Sequence, residues 1–188
     1  MKVGAIILSG GKSSRFGSDK GLFKFKNKAL IQHSIDVCKS FTDDIIIISN
    51  STEYKQFGYQ VYSDIFPESG PMGGIHSGLN YSNNDTNIIV SADTPFINID
   101  LINMFLEEYN QEDVLISKSA DGKYQTLIGI YHKTILNILK NELSKKHLKM
   151  IHLIKQLNSK IIPIPKNSPL EESFINFNHL AELRSYEH

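Results

Sequence analysis

Apolar residues in the first half of the chain are concentrated in three short runs. Val3–Leu8, Ile45–Ile48 and Asn87–Ser91 are rich in β-branched residues, which is typical of strands that are covered on both faces of a parallel sheet. Between the first two runs, apolar residues recur at helical spacing over Lys28–Phe41. A strand, a helix and a second strand predict a right-handed βαβ unit whose two strands are parallel neighbours.

Shorter signals extend this sheet. Gln60–Tyr62 predicts a brief strand, and helical spacing returns over Asp100–Glu108. Val114–Ser117 and Tyr124–Tyr131 predict two further strands. The Asp-Gly pair at positions 121 and 122 favours a hairpin turn between them, so we expect an antiparallel portion of the sheet there.

The remaining pattern completes the predicted fold class. Thr134–Leu143 and His147–Leu157 have helical spacing, and prolines at 163, 165 and 169 predict a loop after them. The chain therefore predicts an α/β fold with a mostly parallel central sheet, helices on both faces and a small antiparallel portion. The sequence contains neither an internal repeat nor an interdomain linker, so we expect residues 1–188 to form a single domain.

Glycines and cations are concentrated in Leu8–Lys20, which directly follows the first predicted strand. Glycines at 10, 11 and 17 let the backbone approach a ligand closely. Backbone N–H groups together with Lys12, Arg15 and Lys20 would wrap and neutralise a polyphosphate. The spacing fits neither a Walker A loop, which needs a glycine where Ile6 stands, nor a dinucleotide-binding fingerprint. The segment therefore predicts a phosphate site of another kind.

A second glycine-rich segment and two acidic residues are predicted at the same edge of the sheet. Asp64 and Asp93 each follow a predicted strand, and Glu68–Ile75 predicts a loop before a helix that ends near Tyr81. Parallel strands place their carboxyl ends at one edge, where α/β proteins bind ligands. We therefore expect these segments to face one site.

Asp93 has two interpretations. A carboxylate at the end of a strand can hold Mg²⁺, which binds through one or two protein carboxylates, waters and substrate phosphates. Alternatively, Asp93 only caps the turn before the next helix. We favour the metal ligand, because a phosphate site without a cation leaves its chemistry incomplete.

Composition excludes several classes of protein. The 188 residues include 20 Lys and Arg and 20 Asp and Glu, and this balance argues against a general nucleic-acid surface. Cys38 is the single cysteine, which excludes an internal disulfide, argues against a structural zinc site and fits a reducing cytoplasm. No run approaches the about 20 apolar residues of a membrane span, so we expect no membrane partner.

Four motifs resemble those of the molybdenum cofactor guanylyltransferases, the MobA family. They are the opening segment Leu8–Gly21, the run Gly70–Gly74, the triplet Asp93-Thr94-Pro95 and the triplet Asn176-Phe177-Asn178. The first motif alone would indicate only the wider nucleotidyltransferase superfamily. The resemblance, which spans most of the chain, implies a Rossmann-like nucleotidyltransferase fold. It also implies transfer of GMP from GTP to the terminal phosphate of molybdenum-bound molybdopterin, with release of pyrophosphate.

The resemblance further implies roles for individual residues. Nucleotide binding is implied for Leu8, Ser9, Gly10, Gly11, Lys20, Asp64, Gly73 and Asp93. Catalytic roles are implied for Arg15 and Lys20, which would neutralise the developing pyrophosphate, and for Asp93, which would hold Mg²⁺. Asp64 would contact either the guanine base or the ribose. Binding of the acceptor is implied for Asn176 and Asn178.

Three departures and three alternatives accompany the resemblance. Ser9 stands where alanine is frequent in the family, and Phe16 where methionine is frequent. Gln125-Thr126 stands where a proline is common, so no pterin-side role is transferred to these two residues. A related transferase that uses CTP, one that acts on a sugar or polyol phosphate, and a noncatalytic GTP-binding module that delivers cofactor are the alternatives. The expected partners are GTP, the molybdopterin cofactor and, beyond these, molybdoenzyme apoproteins or other cofactor-synthesis proteins.

Overall fold

A mixed sheet of seven strands organises the computed structural model, which describes residues 2–10, 19–177 and 186. The strands of the described residues are β1 (Val3–Leu8), β2 (Lys24–Phe25), β3 (Lys28–Ala29), β4 (Ile45–Ile48), β5 (Gln60–Tyr62), β6 (Thr86–Ser91), β7 (Val114–Lys118), β8 (Tyr124–His132) and β9 (Ser159–Pro163). The sheet order is β5-β4-β1-β6-β8-β7-β9, and β2 pairs with β3 in a separate hairpin. β8 is antiparallel to both of its neighbours, and the other pairs of this sheet are parallel.

Helices cover both faces of the sheet. They are α1 (Leu30–Lys39), α2 (Gly70–Tyr81), α3 (Ile99–Glu108), α4 (Leu136–Ser144) and α5 (Met150–Ile154), with 3₁₀ turns at Lys20–Leu22, Thr52–Phe57, Lys133–Ile135 and Pro169–Phe174. Buried residues of α1 and α3 pack against one face, and those of α2, α4 and α5 against the other. The predicted α/β class is therefore confirmed, with its mostly parallel sheet and antiparallel portion. Within the described ranges, no helix has the length and apolar character needed to cross a membrane.

The strand predictions are confirmed in position. β1, β4 and β5 have the predicted bounds, β6 begins one residue earlier, and β7 and β8 form the predicted hairpin. Gly122, with a φ of 87°, supplies the left-handed turn residue of that hairpin.

Three local predictions are wrong. The predicted loop Glu68–Ile75 is helical from Gly70 onwards, where α2 begins. The first turn of α2 accepts Pro71 because the missing N–H has no partner there in any helix. The sequence prediction omits β9, an edge strand that pairs with β7 and ends at Pro163, where a missing N–H costs little. The loop predicted from the prolines follows this strand, at residues 164–168. The helix predicted over His147–Leu157 is restricted to α5.

The start of α1 is also corrected. The predicted helix begins at Lys28, but Lys28 and Ala29 form β3. Lys26 and Asn27 have φ values of 49° and 63°, which is the conformation of a two-residue hairpin turn and cannot continue into a helix.

The close approach of α2 to β1 gives a test of this packing. A Cβ atom on Gly78 would overlap Ile6 Cγ2 and lie 3.1 Å from Ile6 Cδ1. We therefore expect Gly78→Ala to lower the free energy of unfolding by about 1–3 kcal/mol, as overpacking does, despite the better helix propensity of alanine.

Gly74→Ala in the same helix is the matched control. Its Cβ would lie 3.4 Å from Leu8 Cδ2, an ordinary contact, so we expect no comparable loss in urea denaturation. Equal stability of the two variants would contradict the packing described for α2.

Candidate functional site

Four parallel strands end side by side at one edge of the sheet. Leu8 pairs with Ile48 on one side and Ser91 on the other, and Ile48 pairs with Tyr62. Backbone bonds continue beyond the strands, because Ser9 N donates to Ile48 O at 2.9 Å and Ala92 N donates to Leu8 O at 2.9 Å. The segments that follow β1, β4, β5 and β6 therefore leave the sheet along a common edge, as the sequence predicts.

An ion pair joins the first and third predicted motifs at this edge. Lys20 Nζ donates to Asp93 Oδ2 at 2.6 Å, although the two residues are 73 positions apart. The side chains are 14% and 23% exposed, so the pair is partly shielded from water. The structure thus brings together the two residues for which the sequence predicts phosphate binding and metal binding.

Asp93 is held by the end of β6 rather than serving only as a helix cap. Ser91 Oγ donates to Asp93 Oδ1. The carbonyl of Ser91 accepts from Thr94 Oγ1 at 3.0 Å and from the buried Ser34 Oγ of α1 at 2.8 Å. The cap of α3 is supplied by Asn98, whose side chain accepts from Asp100 N at 2.9 Å. Because Asn98 caps α3, a capping role is not needed to explain the position of Asp93.

Asp64 lies beyond β5 and is partly withdrawn from water. Its backbone N–H donates to Asn50 Oδ1 at 3.2 Å, which ties the ends of β4 and β5 together. Asp64 Oδ1 is buried and has no hydrogen-bond partner among the described residues. Burial raises the pKa of Asp64 by more than the nearby Ser77 hydroxyl lowers it. A buried oxygen that accepts no hydrogen bond from the described residues is suited to accept one from a ligand.

The glycines of the second motif serve close packing at the start of α2. A Cβ atom on Gly73 would lie 2.9 Å from Phe66 O, and one on Gly74 would lie 3.8 Å from Asp64 Oδ1. Gly73 therefore lets the first turn of α2 lie against Phe66, whereas a side chain at Gly74 would make only an ordinary contact with Asp64. Gly10 at the end of β1 differs, because a Cβ atom there would meet no atom of the described residues within 4 Å.

A cavity of about 160 Å³ adjoins Asp93 on the side away from Asp64. Its lining combines residues after β6, the start of β8 and the segment after the last 3₁₀ turn, namely Ser91, Asp93, Thr94, Tyr124, Gln125, Thr126, Leu127, Ile128, Phe174 and Asn176. The structure thus places the predicted acceptor residue Asn176 in one cavity with Asp93.

An irregularity in β8 shapes this cavity. Ser117 pairs with Gln125 whereas the preceding Ile116 pairs with Gly129, so residues 126–128 bulge out of the ladder. Tyr131 Oη donates to Thr126 O at 2.7 Å and holds the bulge. Antiparallel β8 brings its amino end to the edge where the parallel strands end, and the bulged residues line the cavity there.

Aromatic packing fixes the position of Asn176. The next residue, Phe177, is fully buried and lies 5.5 Å from the Phe25 ring and 5.8 Å from the Phe96 ring, measured between centroids. Tyr186 contacts both Phe96 and Phe177. This cluster attaches the last segment of the chain to the turn that follows Asp93.

Three predicted site residues, Gly11, Arg15 and Asn178, lie outside the described residues. Conversely, sequence reasoning missed Asn50, Ser91 and the β8 bulge. Asn50 and Ser91 are polar residues directly at the ends of β-branched runs, which is the signal that could have marked them. A bulge leaves no comparable signal, because it depends on the pairing register of two strands.

Comparison with known proteins decides the family. Residues 5–160 match the model of the MobA-like NTP transferase domain. The chain belongs to this family.

The relatives agree with that assignment over nearly the full length. A protein of Clostridium perfringens named probable molybdenum cofactor guanylyltransferase is 35% identical, over 99% of this chain and 90% of its own. The molybdenum cofactor guanylyltransferase of Vibrio parahaemolyticus is 36% identical, over 96% and 93%. The crystal structure of molybdopterin-guanine dinucleotide biosynthesis protein A from Archaeoglobus fulgidus shares the fold, with a TM-score of 0.80 at 20% identity over 97% and 96%.

The condition of Asp64 predicts an unusual pH dependence. Because its pKa is raised in the folded state, the native protein binds more protons than the unfolded chain between the ordinary Asp pKa of 3.8 and the folded pKa. The contribution of Asp64 to stability is therefore largest below that window and is lost as the pH rises through the folded pKa.

We expect Asp64→Asn, which removes this charge, to be more stable than the wild type at neutral pH. The difference should shrink as the pH falls towards 3.8. Chemical denaturation of both proteins across this pH range measures it. If the stability of Asp64→Asn relative to the wild type is lower at neutral pH than at pH 4, the Asp64 carboxylate carries no burial cost.

Proposed function

We propose that this protein transfers GMP from GTP to the terminal phosphate of molybdenum-bound molybdopterin, and that residues 1–188 act as one guanylyltransferase domain. The proposal rests on the Lys20–Asp93 ion pair, which lies between two compartments at the same edge of the sheet. One compartment runs from β6 across β1 to Asp64, and the other is the cavity that contains Asn176. The names of the full-length relatives support the choice of guanine and molybdopterin.

The nucleotide lies across the ends of β5, β4, β1 and β6. Three strand spacings separate β5 from β6, about 14 Å in all, so a base near Asp64 leaves the phosphates near Lys20 and Asp93. The exposed Gly10 and the backbone of Leu8 and Ser9 form the floor between them. Asp64 Oδ1, buried without a partner among the described residues, accepts from the N–H groups of guanine or from a ribose hydroxyl. The sequence predicts further contacts from Gly11 and Gly73.

The reaction is an in-line displacement at the α-phosphorus of GTP. An oxygen of the acceptor phosphate forms the new bond to phosphorus, and the bond from phosphorus to the oxygen that bridges the α- and β-phosphates breaks, releasing pyrophosphate. The nucleophile is already an anion, so no side chain has to remove a proton. Catalysis therefore depends on positioning and on charge stabilisation, and Lys20, with the predicted Arg15, stabilises the charge that develops on pyrophosphate.

The donor set at Asp93 fits a magnesium ion. Mg²⁺ is commonly bound by one or two carboxylates together with waters and substrate phosphates, and no cluster of three or more acidic, histidine or cysteine ligands is present in the described ranges. Asp93 Oδ2 already accepts a hydrogen bond from the Lys20 ammonium, so this carboxylate lies where it can bind a cation. A bound Mg²⁺ supplies positive charge that reduces the repulsion between the two anionic reactants.

The acceptor occupies the cavity beside Asp93. Its lining offers the apolar surfaces of Leu127, Ile128 and Phe174 together with the amides of Gln125 and Asn176. A flat, polar ring system such as a pterin needs both kinds of surface. Asn178 is the second acceptor residue that the sequence predicts. Action in the cytoplasm and contact with molybdoenzyme apoproteins or other cofactor-synthesis proteins stay predictions from the sequence.

A transfer assay with GTP and CTP in parallel tests this function. We expect the purified protein with Mg²⁺ and molybdenum-bound molybdopterin to form the guanine dinucleotide and pyrophosphate, and to use CTP poorly. Preference for CTP, or product from a sugar phosphate alone, would replace the proposed substrate. Binding of GTP without any product would instead favour a delivery module.

Lys20→Ala and Asp93→Ala test the residues that carry the reaction. Loss of one electrostatic contact at a comparable site costs about 3–4 kcal/mol, a factor of hundreds in kcat. We expect both variants to keep the wild-type circular dichroism spectrum and to lose most transfer activity. Lys24→Ala, which changes an exposed lysine four residues from Lys20, is the matched control. Near-normal transfer by Lys20→Ala or Asp93→Ala would exclude the assignment.

A further inference from the structure

A buried tyrosine joins the two chain segments that flank residues 11–18. Tyr54, in the 3₁₀ turn Thr52–Phe57, is fully buried. Its hydroxyl accepts a hydrogen bond from Ser9 Oγ, directly after β1. The same hydroxyl donates to Asp19 Oδ1, directly before Lys20. One phenolic oxygen thus connects residues 9 and 19.

The hydroxyl is surrounded too closely to be an incidental polar atom of the core. A Cβ atom on Gly21 would lie 2.5 Å from Tyr54 Oη and 2.8 Å from Ser9 Oγ. Only glycine therefore allows the backbone after Lys20 to pack on this hydroxyl. Burial and the adjacent Asp19 carboxylate raise the pKa of Tyr54 far above its usual range, so the hydroxyl keeps the proton that it donates.

The aspartate that receives this bond also shapes the backbone around Lys20. Asp19 Oδ1 accepts from Gly21 N at 3.4 Å, and Asp19 O accepts from Leu22 N at 3.1 Å. Asp19 thereby begins the 3₁₀ turn Lys20–Leu22, in which Lys20 is the first residue. From this turn the Lys20 side chain reaches Asp93 Oδ2 at 2.6 Å.

We infer that Tyr54 is a positioning residue for Lys20: through Asp19 it fixes the turn from which Lys20 reaches Asp93, and through Ser9 it ties that turn to the end of β1. Tyr54 itself touches neither substrate nor reacting atoms. The consequence for transfer rests on the proposed function, in which Lys20 stabilises charge on the phosphates. The effect on the Lys20–Asp93 ion pair does not depend on the proposed function.

Five variants and one control test the inference. Tyr54→Phe removes the hydroxyl and keeps the ring, and Asp19→Ala removes its acceptor from the other side. Asp19→Asn keeps an oxygen that accepts from Tyr54, so it is the conservative variant. Tyr54→Phe is also made in the Lys20→Ala background. Tyr109→Phe removes a buried hydroxyl after α3, far from Lys20 in the fold, and is the matched control.

The transfer assay gives the first readout. Small misplacements of a catalytic group cost up to about 100-fold, and we expect Tyr54→Phe and Asp19→Ala each to lower kcat/KM for GTP by about 10- to 100-fold. A fifth variant, which combines Tyr54→Phe with Asp19→Ala, should lose no more activity than either single variant, as coupled residues do. Asp19→Asn should recover most of the activity, and Tyr54→Phe should change little once Lys20 is alanine. Additive losses, or an equal loss in the Lys20→Ala background, would overturn the inference.

The ligand-free protein gives a second readout that does not depend on transfer. The Lys20 ammonium, hydrogen-bonded to Asp93 and 14% exposed, should give a ¹H–¹⁵N signal that is absent from Lys20→Ala. We expect this signal to broaden or disappear in Tyr54→Phe and Asp19→Ala and to persist in Asp19→Asn and Tyr109→Phe. Its persistence in Asp19→Ala, which does not alter the core, would overturn the inference even if Tyr54→Phe fails to fold. Wild-type protein without transfer activity would overturn only the proposed function.

Discussion

The ion pair between Lys20 and Asp93 is the interaction on which the site depends. Both charges are partly withdrawn from water, and a charge in such a place is costly unless an opposite charge accompanies it. In the ligand-free protein each residue is therefore the counterion of the other. In the proposed function, a nucleotide with its cation would offer the same two groups new partners, a phosphate for Lys20 and a metal for Asp93, so the pair would exchange partners without leaving either charge unpaired.

The rest of the fold supports this exchange by fixing distances across the sheet. Asp93 is held by Ser91 at the end of β6. Lys20 is held by the 3₁₀ turn Lys20–Leu22, in which Gly21 packs against Tyr54. The glycines of α2 allow that helix to lie close to β1 and Asp64, which sets the far end of the nucleotide compartment. On the other side of Asp93, the bulge in β8 lines the cavity that we propose for the acceptor. In this proposal, the two substrates meet at one pair of charges.

The sequence predicts the frame of this site better than its details. Runs of β-branched residues such as Ile45–Ile48 determine buried strands almost by themselves, and the rule for parallel strands then places Asp64 and Asp93 at one edge. The start of α2 could not be predicted from glycine and proline alone, since both residues are also compatible with the first turn of a helix. The role of Gly73 in close packing becomes visible only when Phe66 O lies beside it. The bulge of residues 126–128 and the bonds of Tyr54 depend on contacts between segments far apart in the chain, which no local pattern encodes.

The most direct test of this account is a crystal structure of the protein with Mg²⁺ and a GTP analogue that cannot be cleaved between its α- and β-phosphates. The account predicts that the analogue lies across the ends of β5, β4, β1 and β6, with Lys20 Nζ on its phosphates, Asp93 on the metal and the direct bond between the two side chains broken. The cavity of Asn176 should remain free for the acceptor. An analogue bound elsewhere, or one that leaves Lys20 and Asp93 bonded only to each other, would contradict it.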